Sequence, residues 1–175
     1  MLRIILIPLI LTTLSGCYTA KHSVDSQAVE SALQLSKEST IYVSIPADGQ
    51  FETKVYPNSG MMTATAFHSA LVKNANKVVV GKKYEDQDQA LISARSASAN
   101  YLLVPIILHW EDRATEWSGK PDRLEFTAIV IEVSTGQELD RAVLKGSSSW
   151  FTMGGDHPQD MLAGPIGEYV SSLFE

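Results

Sequence analysis

The chain of 175 residues has one cysteine, Cys17, which excludes an intrachain disulfide and a cysteine-rich zinc site. Basic residues are sparse and scattered. No run of Lys or Arg exceeds the pair Lys82-Lys83, and the net charge is −6, so no nucleic-acid partner is expected. The sequence lacks a Gly-rich nucleotide loop, a Walker motif and a G-x-S-x-G elbow, and no cofactor is expected. It lacks internal repeats and any apolar run of the roughly 20 residues that a membrane-crossing helix needs. What is present is ordinary: 45% hydrophobic and 19% charged residues, with a mean hydropathy of +0.00. That composition argues against disorder over most of the length and against a multi-spanning membrane protein. The length suits one domain plus extras.

The extras sit at the start. Met1-Leu2-Arg3 is a short basic opening, Ile4 to Leu11 a brief apolar run, and Thr12 to Gly16 a stretch of mostly small residues. This is the pattern of a secretory signal peptide. Leu14-Ser15-Gly16-Cys17 resembles a bacterial lipobox, which implies a diacylglycerol on the Cys17 thiol, cleavage before Cys17 and acylation of the new amine. The alternative is a leftover cysteine after an ordinary signal. Tyr18 stands where an Asp would favour inner-membrane retention, so the resemblance to enterobacterial sorting signals implies the outer membrane of a Gram-negative cell, on its periplasmic face. Removing residues 1–16 takes away Arg3 and no acid, leaving 13 basic against 20 acidic residues, a balance of −7.

Residues 17–38 read as the acylated cysteine and a flexible tether, small and polar, with no strand pattern and with His22 solvated. Residues 39–175 read as one periplasmic α/β domain, a small mixed-sheet sandwich of order β-α-β-α-β-β-β-α. Ile41 to Ile45 is a β-branched run closed by Pro46 and Asp48-Gly49, hence a strand. A helix over 59–74 follows, capped by Asn58 or Ser59, with Met62, Ala66, Phe67, Ala70 and Leu71 on one stripe and His68 half-buried beside it. Lys77 to Val80 is a short strand. Glu85, Asp86 and Asp88 gather at the start of a helix over 87–99, where acids complement the helix dipole. Its stripe of Ala90, Leu91, Ala94 and Ala97 lets it lie close to a sheet. Tyr101 to Trp110 is a strand in which Pro105 demands an edge or a bulge. Leu124 to Val133 and 138–146 form a hairpin closed by Ser134-Thr135-Gly136-Gln137. A last helix spans 158–174, with Asp156 as cap and Pro165 kinking or splitting it.

Ile107-Leu108-His109-Trp110-Glu111-Asp112-Arg113-Ala114-Thr115-Glu116-Trp117-Ser118-Gly119 and Gly154-Gly155-Asp156-His157-Pro158-Gln159-Asp160 resemble an uncharacterised family of bacterial lipoproteins, defined only as a domain of unknown function. The resemblance covers roughly Thr40 to Phe174 and implies no activity. Ser98 to Val104, the hairpin at Val133-Ser134-Thr135-Gly136 and the closing helix are similar in architecture to three periplasmic modules. These are the N-terminal domain of the Tol-system propeller protein, the curli-secretion lipoprotein and the lipoprotein activators of penicillin-binding proteins. That likeness implies a small α/β sandwich used for binding or assembly. This sequence departs from it in having no glycine before Asn100 and no propeller or pore segment afterwards.

The stretch from His109 to Arg123 concentrates charge and tryptophan. On a hairpin, His109, Glu111 and Arg113 share one side, with Trp110 and Asp112 on the other. Trp110, Glu111, Asp112, Arg113, Glu116 and Trp117 are the candidate partner-binding residues, since Trp and Arg favour interfaces. Paired carboxylates could instead act as general acid and base beside a cell-wall glycan. No apolar frame that would raise a carboxylate pKa is legible around them. His109, Asp156 and His157 show no metal-ligand spacing, and no metal is expected. Two classes of function therefore stand. One is an outer-membrane-anchored, non-catalytic binding or scaffold lipoprotein, whose partners are the membrane, through its anchor, and an envelope protein or cell-wall component. The other is an envelope enzyme or small-ligand binder using residues 109–123 and 154–160.

Overall fold

The computed structural model describes residues 20–27, 33–113, 120–148 and 157–174. Cys17, the lipobox, Glu116, Trp117, Gly154, Gly155 and Asp156 lie outside those residues. The chain enters with β1 (Lys21–Ser26) and β2 (Thr40–Ile45), then a short hairpin of β3 (Gln50–Phe51) and β4 (Lys54–Val55). Helix α1 (Ser59–Leu71), β5 (Lys77–Tyr84) and α2 (Gln87–Ser96) follow. The long strands β6 (Tyr101–Glu111), β7 (Arg123–Glu132) and β8 (Glu138–Ser147) precede α3 (Ala163–Ser172). One mixed sheet takes the order β1-β8-β7-β6-β2-β5, with β2 parallel to both β5 and β6 and the other pairs antiparallel. The expected mixed-sheet α/β class is the observed one. No helix of the described residues is long and apolar enough to cross a membrane.

The two faces of the sheet are covered unequally. Helices α1 and α3 pack on one face, where Phe67, Leu71, Trp110, Phe126, Leu144, Ile166 and Tyr169 form the larger core. Phe67 and Phe126 meet edge to face, their centroids 5.9 Å apart. On the other face, among the described residues, lies α2 alone, whose fully buried Ala90 and Ala94 bring it down onto Tyr42, Leu102, Val104, Ile129 and Ile131. Methyl-sized contacts explain the close approach, as the alanine stripe predicts. Asp86 caps α2 by accepting the Gln89 N–H at 2.9 Å. Glu85 departs from its expected dipole role and instead accepts from Tyr42 Oη at 2.8 Å and Ser93 Oγ at 2.5 Å.

Four local expectations are corrected. Residues 21–26 are a strand, not a tether: β1 pairs antiparallel with β8 from Lys21↔Ser147 to Ser26↔Ala142. Only Val24 of its six residues is even partly buried, so the period-2 apolar signal is missing. His22 accordingly docks on α3, its Nε2 3.1 Å from Glu168 Oε2. In α1 the buried stripe runs through Thr63, Ala64, Phe67 and Leu71, while Met62 is exposed. Neither Asn58 nor Ser59 caps that helix by its side chain. Asp48 reaches across to accept from the Asn58 and Gly60 N–H groups at 3.1 and 2.9 Å. Pro165 does not kink a long helix, because turns fill 158–162 and α3 begins at Ala163, placing Pro165 in a first turn where its missing N–H is no loss.

Pro105 meets its predicted requirement. Strand β2 pairs with β6 from Ile41↔Tyr101 to Val43↔Leu103, so among the described residues Pro105 lies on a stretch of β6 with no strand partner on its β2 side. A register shift follows between Ile107 and His109.

One buried polar junction ties the β1 edge to the core. Asp140, 1% exposed, accepts from Ser26 Oγ at 2.8 Å and from Tyr169 Oη at 2.7 Å. Burial pushes the Tyr169 phenol far above its ordinary range, and the Asp140 charge adds to this. Tyr169→Phe should destabilise the domain by about 1–3 kcal/mol, because it leaves one Asp140 oxygen buried without its donor. Urea unfolding followed by circular dichroism reads this as a lower midpoint at unchanged slope.

Candidate functional site

The candidate residues lie where β6 ends, β7 begins and the chain approaches α3. Trp110 points into the larger core and is 2% exposed. The backbone of Gly49 packs directly on it, and a Cβ at that position would come within 2.6 Å of Trp110 Cβ. The expectation that Trp110 contacts a partner is corrected on that ground. Glu111 is equally buried, at 2% exposure, and is not a surface contact either. Asp112 and Arg113 are half-buried and remain available.

The predicted alternation holds. His109, Glu111 and Arg113 gather on one side: His109 Nε2 lies 3.0 Å from Glu111 Oε2, and Arg113 Nη2 pairs with Glu111 Oε1. Phe51 of the β3–β4 hairpin covers this group, meeting the His109 ring edge-on at 5.0 Å with the Arg113 guanidinium 6.0 Å from its centroid.

Asp112 turns the other way, to His157, whose Nδ1 is 3.1 Å from Asp112 Oδ1. The Tyr56 hydroxyl accepts the Asp112 N–H at 3.2 Å. Asp122, 6% exposed, is the residue that sequence reasoning missed. Its Oδ1 accepts the Arg113 N–H at 2.7 Å. Its own N–H donates to Ser148 Oγ at 2.9 Å, and its carbonyl accepts the Ser148 N–H at 3.1 Å. The stems of the two segments 114–119 and 149–156 are thus bonded to one another: Arg113 to Asp122, Asp122 to Ser148, Asp112 to His157.

Burial pushes the Asp122 carboxyl up from its ordinary value, and the nearby Asp112 charge adds to this, against the lowering effect of the Arg113 N–H. Asp122 is thus a buried carboxylate, and its burial was not legible in the sequence. The hydrogen bond to Asp112 raises the His157 pKa from its ordinary 6.5. A raised histidine stabilises the fold fully below its unfolded value and loses that contribution as pH rises through the folded value. Asp112→Asn should lower the His157 titration, followed by imidazole C–H shifts in NMR, because the hydrogen bond and charge of Asp112 are the largest causes raising it.

Asp112, Asp122 and His157 offer ligand atoms that all lie within 4.8 Å of one another. His109 is not part of this group: it is held by Glu111, and His157 by Asp112. The observed hydrogen bonds account for Asp112, His157 and one Asp122 oxygen without an ion.

Residues 33–173 match the family described as "Domain of unknown function (DUF4823)". The chain belongs to that family. The match spans every strand except β1, so the DUF4823 region includes the entire candidate network and ends within the last turn of the domain. Among solved structures the DUF4823 fold is similar to PelC from Paraburkholderia phytofirmans, solved as a dodecamer. That likeness has a TM-score of 0.67 and 18% identity, covering 87% of this chain and 97% of PelC. A looser likeness, TM-score 0.45 and 13% identity, relates 78% of this chain to 95% of the lipoprotein GNA1162 from Neisseria meningitidis. Another, TM-score 0.40 and 14% identity, relates 65% of it to 84% of the LpoB C-terminal domain from Salmonella enterica. No curated protein matches.

Proposed function

We propose that this chain is a lipid-anchored lipoprotein of the outer membrane, facing the periplasm, that serves as a non-catalytic binding or scaffold module in the cell envelope. The observation that carries the reading is what the acids at the site do. Glu111 is held by His109 and Arg113, Asp112 by His157, and Asp122 by the Arg113 backbone. A general acid or base must present its carboxyl to a substrate proton at hydrogen-bonding distance. These carboxylates instead hold the stems in place: Asp122 closes the stem of 114–119, Asp112 joins it to His157, and Glu111 secures Arg113, which is the work of a scaffold. Anchoring rests on Cys17 and its flanks, and the PelC-like fold supports a domain built for assembly.

In-cell photocrosslinking tests the contact reading. A crosslinker at Arg113 should give adducts with an envelope component, and one at Thr135, in the exposed turn at the far end of the β7–β8 hairpin, should not. A purified domain that releases fragments from peptidoglycan, and loses that activity with Asp112→Asn, would establish the enzyme reading instead. Self-assembly is a second reading, favoured by the dodecameric state in which PelC was solved. Light scattering on the purified chain separates it from the first.

A further inference from the structure

The strand that the sequence conceals sets how the domain stands on its membrane. Lys21 opens β1 and stands only four positions after Cys17. Four extended residues span at most about 14 Å. A tether running to residue 38 would let the domain tumble, but a domain whose sheet begins at Lys21 is held by one end.

Register names that end. Lys21 pairs with Ser147, Ser147 with Arg123, and Arg123 with Glu111, so the start of β1, the end of β8, the start of β7 and the end of β6 form one row across the sheet. The next row holds Ser23, Lys145, Glu125 and His109. Helix α2 covers the other half of this face. Here, among the described residues, no helix lies over the sheet, and an open groove of about 510 Å³ runs over Lys21, Ser23, Arg123, Glu125, Lys145 and Ser147.

Charge agrees with the geometry. Lys21, Arg123 and Lys145 are exposed. Lys145 is 3.3 Å from Glu125, while Lys21 and Arg123 have no ion-pair partner among the described residues. Of the acids at the same end, Glu111 and Asp122 are buried and Asp112 and Glu125 half-buried, with Glu111 paired with Arg113, Asp112 with His157 and Glu125 with Lys145. A chain of net charge −6 thus presents accessible cations at the end nearest its anchor.

We propose that this end of the sheet, with Lys21 and Arg123 at its rim, lies against the phosphate-bearing headgroups of the membrane that holds Cys17. The proposal rests on the anchored-lipoprotein reading and gives the contact surface of that reading a partner. It places the stems of 114–119 and 149–156 at the lipid surface and the turn at 134–137 away from it. β7 runs ten residues between those ends, roughly 33 Å.

Acylation consumes the chain's only thiol, so an added cysteine can be labelled alone. The acylated full chain carrying Ser147→Cys or Thr135→Cys, each with a fluorophore, is placed in vesicles of phosphatidylethanolamine and phosphatidylglycerol with a headgroup-borne quencher. The label at 147 should lose more than half its emission, and the label at 135 should be unaffected. Lys21→Glu with Arg123→Glu should abolish most of the quenching, since each cation near an anionic surface shifts the contact equilibrium about fivefold. Mass spectrometry of the same sample reads the acyl chains. Acylated, vesicle-bound protein quenched equally at both positions overturns the orientation and leaves anchoring intact. Protein without acyl chains overturns both. Protein crosslinks from Arg113 on anchored chain that shows no quenching at 147 would assign this end to a protein partner.

Discussion

Cys17→Ser is expected to move the protein from the outer-membrane fraction to the soluble periplasmic fraction and to remove the acyl mass from its N-terminus. Each buried CH₂ of an acyl chain contributes about 0.8 kcal/mol, so one chain gives marginal, reversible binding while several hold a protein almost permanently. Serine cannot form the thioether, so the variant loses every chain at once. Headgroup contacts alone are too weak to keep it on the membrane through a salt wash. Folding should be untouched, because Cys17 precedes β1, the first strand of the sheet, which starts at Lys21. A Cys17→Ser chain that still fractionates with the outer membrane would sink the anchoring argument.

Trp110→Ala is expected to destabilise the domain by about 3–5 kcal/mol, the usual range for removing a buried large aromatic. Domains of this size hold only about 5–15 kcal/mol in total. The indole fills the space between the β3–β4 hairpin and the larger core, and the glycine at 49 is fitted against it. The hairpin would lose its backing, and with it the cover that Phe51 provides over His109 and Arg113. Chemical denaturation measures the loss directly. Trp110→Phe should lose clearly less. A phenotype from Trp110→Ala would therefore report a weakened fold, whereas Arg113→Ala, half-buried at the rim, tests contact more cleanly. Unchanged stability in Trp110→Ala would contradict the burial described above.

The elements legible from sequence were those whose signal is local. The acids at the start of α2 mark that helix by their own position, the 134–137 turn is set by its own residues, and Pro105 constrains its own strand edge. The β6–β7–β8 meander carries long β-branched and apolar runs that no helix period fits. What escaped depends on distant partners. β1 is polar along most of its length and becomes a strand only because β8 offers a free edge to Lys21–Ser26. Asp48 caps α1 from ten residues away, leaving no capping pattern at Asn58. Trp110 reads as an interface residue because it stands among charges, yet strand alternation sends it inward and Glu111 outward, where Arg113 and the Phe51 hairpin then bury it.

The candidate site was legible as a segment but not as an arrangement. The pairing of His109, Glu111 and Arg113 follows from a period of two. The link from Asp112 to His157, and the placement of Asp122 between Arg113 and Ser148, join stretches with no sequence relation to one another.

Ser26 and Asp140 are 114 residues apart in the chain and 2.8 Å apart in the fold. The segment synthesised first in the mature domain is thus among the last to find its place, since its partner strand appears only after the whole meander has been made. Loop-closure entropy opposes such a contact until the intervening structure is formed, which makes sheets with long-range pairing slow to complete. The seam between β1 and β8 is therefore the late-closing joint of the molecule, and native-state hydrogen exchange should find its amides among the first to open. On a chain acylated at Cys17, that joint closes beside the bilayer.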